Sequence, residues 1–268
     1  MRGRGGCGQG GGIPKLEGYN GREPMKTIIL LAGHATRMRP LTTYLNKGMI
    51  PLRGKPLLEH VVCRLAAQGL NDLMVAVTMF PEQLTNYFGD GSRFGVKMEY
   101  CFRPEPSQTA GEVYAMRELL AGEEDFVVHY GDILTGLDVA GMVRQHVETG
   151  AAATLGLVTN VEIHTGVAEL AEDGRVVKFV EKPPLDKPCH AAVNVFNRRV
   201  WEYLGPNKDF AHDVIPAMMA AGERVMGFLD REAYWMDVGR LSDLEGAEKL
   251  LEQLEGENRK QKTENSQT

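Results

Sequence analysis

The chain has 268 residues, 43% of them hydrophobic and 25% charged, which is enough for one large domain around a real core and too apolar for a disordered chain. Its 36 acidic residues outnumber the 30 basic ones for a formal charge of -6, which argues against a protein that wraps nucleic acid through a general basic surface. No run approaches the about 18 consecutive apolar residues of a membrane-spanning helix, so neither nucleic acid nor a membrane is the expected partner.

In chain order, residues 1–24 carry a glycine cluster from Gly3 to Gly12 and lack the apolar centre of a signal peptide. Such a segment cannot bury enough apolar surface to offset its ordering entropy, and it reads as a flexible extension ahead of a second plausible start at Met25. Cys7, Cys63, Cys101 and Cys189 lie far apart with no CxxC pair, which predicts reduced thiols and a cytoplasmic protein. Thr27 to Ala32 is a continuous apolar run and predicts a strand buried on both faces. Leu57 to Gln68 puts Leu57, Leu58, Val61, Val62 and Leu65 on one helical face, with Gly69 as the stop. Strands are expected at Leu73 to Thr78, Val96 to Phe102, Phe126 to Tyr130 and Ala152 to Val158. Helices are expected from Pro81 to Tyr87, Glu112 to Leu120, Val139 to Thr149 and Asp213 to Ala221. Asp173-Gly174 between two apolar runs predicts a hairpin. The last helix is expected to start at Ser242, with Glu245 closing a capping box and Leu244, Ala247, Leu251 and Leu254 forming its buried stripe. From about Glu255 a polar tail should fray into solvent. Alternating strands and helices predict α/β layers whose ligands collect at the carboxyl ends of the strands, and the hairpin makes the sheet mixed.

The chemistry-bearing segments sit at those strand ends. In Leu30-Leu31-Ala32-Gly33-His34-Ala35-Thr36-Arg37-Met38-Arg39-Pro40 a small-residue turn lets backbone amides approach phosphate oxygens, and Arg37 adds a fork of donors. It is neither a P-loop nor GxGxxG, and read alone it could equally be an ordinary turn with solvated arginines. Lys47 follows near the same edge as a mobile point charge suited to a triphosphate. Gly131-Asp132 and Asp237-Val238-Gly239 place two distant carboxylates beside glycines, and two carboxylates can hold one Mg²⁺ that takes its other oxygens from water and phosphate. Each aspartate alone could instead cap a turn. Proline in Glu181-Lys182-Pro183 forces the chain out of the sheet and leaves Lys182 at a rim. The seven histidines show no HxxxH or HExxH spacing, which argues against a transition-metal site.

From Met25 to about Leu251 these segments together resemble the sugar-phosphate nucleotidyltransferases, or NDP-sugar pyrophosphorylases, in their short single-domain form. The resemblance runs in order through the Leu31 to Thr42 loop, Lys47 to Pro51, Gly54 to Leu57, Thr109-Ala110-Gly111, Gly131-Asp132, Glu181-Lys182-Pro183 and Trp235 to Gly239. It implies a Rossmann-like three-layer sandwich of the nucleotide-diphospho-sugar transferase type over residues 25–254. It also implies the reaction of an NTP with a sugar 1-phosphate to give an NDP-sugar and pyrophosphate. Under it, Arg37 and Lys47 contact the nucleotide phosphates, Asp132 and Asp237 hold Mg²⁺, Lys182 binds the sugar 1-phosphate and Glu181 its hydroxyls. Leu31, Ala32, Gly33, Thr36, Arg103, Gln108, Thr109, Gly111 and Asn194 complete the implied substrate contacts.

Several residues depart from the family pattern. Ala35 stands where the family's last loop glycine is, and positive φ there would cost roughly 1 kcal/mol or more. Asn46 replaces the usual proline, Gln108 a glycine, Arg103 a glutamine or glutamate that helps read the base, and Asn194 a frequent tyrosine. Base and sugar are therefore left open, as is assembly into a homo-oligomer. Two other readings stay in view: transfer to a non-sugar phosphorylated alcohol such as phosphocholine, and a non-catalytic nucleotide-sugar binding protein. A nicotinamide oxidoreductase lacks its glycine fingerprint here.

Overall fold

A computed structural model describes residues 25–159, 161, 165–185 and 187–265, so the expected extension of residues 1–24 lies outside the described residues. After β1 (Thr27–Leu31) the chain runs through three short 3-10 turns into a small ribbon, β2 (Pro51–Leu52) and β3 (Lys55–Pro56), and then α1 (Leu57–Ala67). The five apolar residues picked out by helical spacing are the buried face of α1, and truncating any one of its leucines to alanine would cost about 2–5 kcal/mol. β4 (Asp72–Val77), α2 (Pro81–Phe88), β5 (Lys97–Phe102), α3 (Thr109–Ala115), β6 (Asp125–Tyr130) and β7 (Ile133–Thr135) follow. The Asp138 side chain caps α4 (Val139–Thr149) by accepting from the Gly141 amide, and Gly150 ends it in the left-handed region. Next come β8 (Ala153–Val158), the hairpin strands β9 (Val167–Leu170) and β10 (Val176–Val180), and β11 (Cys189–Asn197). A π-helical turn leads into α5 (Ile215–Ala220), followed by β12 (Val225–Leu229), β13 (Trp235–Asp237) and α6 (Asp243–Asn265).

Seven strands form the central sheet in the order β12-β8-β11-β6-β1-β4-β5. All neighbours run parallel except β11, which is antiparallel to both β6 and β8. The sheet is mixed and mostly parallel as expected, but through β11 and not through the hairpin, whose strands β9 and β10 pair in a separate ribbon; β1 reads as a solid apolar run because strands flank it and helices cover both faces. One core cluster joins the sheet to α1, α2, α4 and α6, and the other joins it to α3 and α5, which gives three layers. Gly174 has a φ of 84° in the turn between β9 and β10, and the Asp173 side chain accepts from the Arg175 amide, so the hairpin forms where expected.

Three local expectations change. α3 begins at Thr109 rather than Glu112, because Glu112 is a buried part of its first turn. The capping box expected at the start of α6 does not form. There the Ser242 hydroxyl donates to Asp243 and Glu245 pairs with Lys249, while the Asp243 carboxylate accepts from the Gly239 and Arg240 amides. Finally, α6 continues to Asn265 instead of fraying from Glu255, and Glu255 pairs there with Arg53 and with Arg259 one turn on. Cys101 and Cys189 are free thiols as expected, and Cys7 lies outside the described residues.

Candidate active site

β1 and β6 are adjacent and parallel, with Leu30 opposite Tyr130, so the loop after β1 and the Gly131-Asp132 step after β6 leave the sheet at the same edge. The β1 loop turns through Ala35, whose φ of 45° and ψ of 41° are left-handed, at a cost of about 1 kcal/mol or more relative to glycine. Thr42 steadies the turn by donating its hydroxyl to the Ala35 carbonyl at 2.8 Å. Arg37 lies on the following 3-10 turn and is exposed at the mouth of the site.

Lys47 is aimed by Asn46. The buried Asn46 side chain accepts from the Gly48 amide at 2.8 Å and donates to the Met79 carbonyl, while its own amide donates to Gln83 at 2.7 Å. A proline, the family's usual residue, has no amide proton to donate to Gln83. Leu31 sits between Gly48 and Gly131, and a Cβ on Gly131 would stand 2.5 Å from it. This close packing brings Lys47 to Asp132, and Nζ lies 2.5 Å from Oδ2.

β13 pairs antiparallel with β7, placing Asp237 opposite Ile133, and the Val238 amide donates to the Asp132 carbonyl at 3.0 Å. The two carboxylates thus converge from strands about a hundred residues apart in sequence. Asp237 Oδ1 is buried and has no hydrogen-bond partner among the described residues. Burial, and then the negative charge of Asp132, push the Asp237 carboxyl above its ordinary pKa, against the pull of Lys47 and Arg37.

A cavity of about 290 Å³ opens over this edge. Of the residues singled out from the sequence, Leu31, Ala32, Gly33, Thr36 and Arg37 line it from the β1 loop, Lys47 and Asp132 from its floor, and Gln108 and Thr109 from the start of α3. Tyr130, Ser107 and Glu112 also line it, and sequence reasoning missed them. Tyr130 adjoins the Gly131-Asp132 motif, and that adjacency was its only signal. Glu112 is buried and accepts from Arg103 Nε at 3.1 Å and from the Ser107 amide. Arg103 therefore braces the wall through Glu112. Gly111 supports the same wall, its amide donating to the Lys208 carbonyl at 2.9 Å, and a Cβ there would collide with Ser107.

The remaining candidates lie elsewhere. Glu181 and Lys182 are exposed beyond β10 and are not among the described residues lining the cavity. Asn194 is fully buried in β11. Among the described residues, no helix is long and apolar enough to cross a membrane.

Comparison with known proteins follows the same elements. The nucleotidyl transferase family model matches residues 26–253. A mannose-1-phosphate guanylyltransferase of Mycobacterium tuberculosis is 33% identical over 223 residues, covering 81% of this chain and 61% of that protein. A UTP–glucose-1-phosphate uridylyltransferase of Synechocystis is 31% identical over 238 residues, covering 82% of this chain and 61% of that protein. The chain thus spans about three fifths of the length of these relatives. Among solved structures, HddC of Yersinia pseudotuberculosis superposes with a TM-score of 0.68 at 19% identity, covering 85% of this chain and 99% of that one. A Bacillus anthracis protein solved with sucrose gives 0.68 at 22% identity, covering 84% and 94%. The match reaches from the first strand into the last helix, over the elements that build the cavity, and the chain belongs to the nucleotidyl transferase family.

Proposed function

We propose that the chain transfers a nucleotidyl group from an NTP to a sugar 1-phosphate, releasing pyrophosphate, with Mg²⁺ held by Asp132 and Asp237. The observation that carries this reading is the buried, unpartnered Oδ1 of Asp237 beside the Lys47–Asp132 pair. An orphaned carboxylate oxygen of this kind fits a cation. Two carboxylates, with no third acidic, histidine or cysteine ligand grouped with them among the described residues, suit an ion that fills its shell with water and phosphate oxygens. When bound, Mg²⁺ supplies positive charge to the phosphate oxygens.

The chain's own groups do the rest. Arg37 offers a bidentate fork to the leaving phosphates, and Lys47 offers a point charge next to Asp132. Gly33, Gln108 and Thr109 shape the nucleotide's bed. The acceptor phosphate oxygen attacks the α-phosphorus in line, the bond to the bridging oxygen breaks, and pyrophosphate leaves with the electron pair. The acceptor is already an anion, so no general base is required, and the protein's contribution is positioning and charge stabilisation. The relatives' names, which specify mannose 1-phosphate with guanylyl transfer and glucose 1-phosphate with uridylyl transfer, support a sugar 1-phosphate as acceptor.

The test is pyrophosphate release from each of five NTPs against a panel of sugar 1-phosphates and phosphocholine, with Mg²⁺ and with EDTA. Turnover with one sugar 1-phosphate that EDTA abolishes is the expected result. No release with any pair, or release only with phosphocholine, overturns the reading.

A further inference from the structure

The two carboxylates at the sheet edge are in opposite conditions. Lys47 Nζ lies 2.5 Å from Asp132 Oδ2, and the two side chains are only 13% and 25% exposed, so this ion pair is largely shielded from water. Asp237 Oδ1 is buried and without a hydrogen-bond partner among the described residues. One carboxylate is therefore engaged by the chain's own cation, and the other is open.

The backbone under the pair is fixed. Asn46 bonds to Gly48, Met79 and Gln83 and caps the 3-10 turn that carries Lys47, while Leu31 packs against Gly131 beside Asp132. A change of partner is thus confined to the lysine side chain, whose flexible stem lets the ammonium swing. The charged groups that act on Asp237 are Asp132, Lys47, Arg37 and Asp243. Asp243 is turned to the Gly239 and Arg240 amides, and Arg37 is exposed at the mouth. Among the described residues, Lys47 is the cation that forms an ion pair with this pair of carboxylates.

An ammonium seated on Asp132 Oδ2 competes with a metal ion. A divalent ion at about 2.1 Å from either Asp132 oxygen would stand within about 5 Å of Nζ, close enough for like charges to repel strongly in a shielded site. Phosphate oxygens relieve the conflict, because they accept from Lys47 and leave Asp132 Oδ2 to the metal. The exchange is short, since Lys47, Asp132 and the β1 loop with Arg37 line one cavity.

We propose that Lys47 is an internal counter-ion that blocks the metal site: it holds Asp132 until nucleotide phosphates take the ammonium, so that a divalent ion is bound only together with the nucleotide. The inference rests on the metal site proposed above and adds the order in which that site fills. By linkage, the affinity that Lys47 denies to the bare ion returns as cooperativity between ion and nucleotide.

The experiment titrates the full chain with Mn²⁺, a paramagnetic stand-in for Mg²⁺, without nucleotide, and reads the bound ion by electron paramagnetic resonance and by melting temperature. The wild type should bind weakly, whereas Lys47→Met should bind about tenfold tighter or more and melt at a higher temperature once Mn²⁺ is added. Arg37→Met removes the same charge from the exposed mouth and should stay within about threefold of the wild type, because exposed charges are screened. Asp237→Ala added to Lys47→Met should abolish the gain, which places the ion at the two carboxylates. Lys47→Gln, which can still donate to Asp132, serves if the methionine variant melts early, and should show a smaller gain in the same direction. If the wild type binds Mn²⁺ alone as tightly as Lys47→Met, or if Arg37→Met gains as much as Lys47→Met, Lys47 does not block the site, although the transfer reaction stands. If no variant binds Mn²⁺ and wild-type pyrophosphate release survives EDTA, the two-carboxylate metal site itself is removed.

Discussion

The loop after β1 and the Glu181-Lys182 segment after β10 both carry charge for the proposed reaction, on very different supports. The first leaves a strand paired on both sides, four of whose five residues are buried. The second leaves a two-stranded ribbon exposed along its whole length, Val176, Val177 and Phe179 included. Side chains on the sheet edge are held by packing before any ligand arrives, as Leu31 wedged between Gly48 and Gly131 illustrates. On the ribbon, ordering Lys182 against a substrate draws on binding energy, at roughly 2 kcal/mol for a lysine side chain. The half proposed to take the nucleotide is therefore the preorganised half.

The largest expected effect falls on that half. Asp132→Ala and Asp237→Ala should each lower pyrophosphate release about a thousandfold, with thermal melting showing a retained fold. Near-normal turnover in either variant would break the comparison, because the preorganised edge would then not hold the chemistry. Next in size is a pH effect on the sheet itself. Burial drops the His129 pKa from 6.5 to about 4, so between these values the unfolded chain binds a proton that the folded chain does not. Stability should thus be complete above about pH 6.5 and fall by an amount on the order of 3 kcal/mol as the pH drops toward 4, by linkage. Denaturant titrations of the wild type and His129→Gln at both ends of this window check it, the variant showing the smaller slope.

On the ribbon, Lys182→Ala should raise the KM for the sugar phosphate about tenfold, the scale of one charged hydrogen bond, and leave the NTP constant and the melting temperature unchanged. Equal losses for both substrates would mean that the ribbon serves the nucleotide too, erasing the distinction between the halves. The smallest effect is expected for Ala35→Gly, which should stabilise the fold by about 1 kcal/mol or less by relieving the left-handed alanine, as read from chemical denaturation.

Much of the nucleotide half was legible in the residues. The apolar run of β1, the stripe of α1 and the small-residue loop each follow from local patterning, and the loop residues singled out, Leu31 to Gly33 with Thr36 and Arg37, line the cavity. Less legible were residues whose roles depend on distant partners. Arg103, which the resemblance places among the substrate contacts, pairs with Glu112, a buried carboxylate that needs a charged partner. Ser242 loses its capping role to Asp243, whose carboxylate is the stronger acceptor for the Gly239 and Arg240 amides.

By itself the sequence determined the layers, the helical faces, the hairpin turn and the order of the motifs that the proposed reaction would use, because periodicity, glycine placement and turn chemistry act over a few residues. Only the tertiary structure decided that Lys47 pairs with Asp132 and that Asp237 arrives beside them with an unpartnered oxygen. Those contacts depend on strand order and register, which bring together segments far apart in the chain, and no local pattern encodes which strand ends will share an edge.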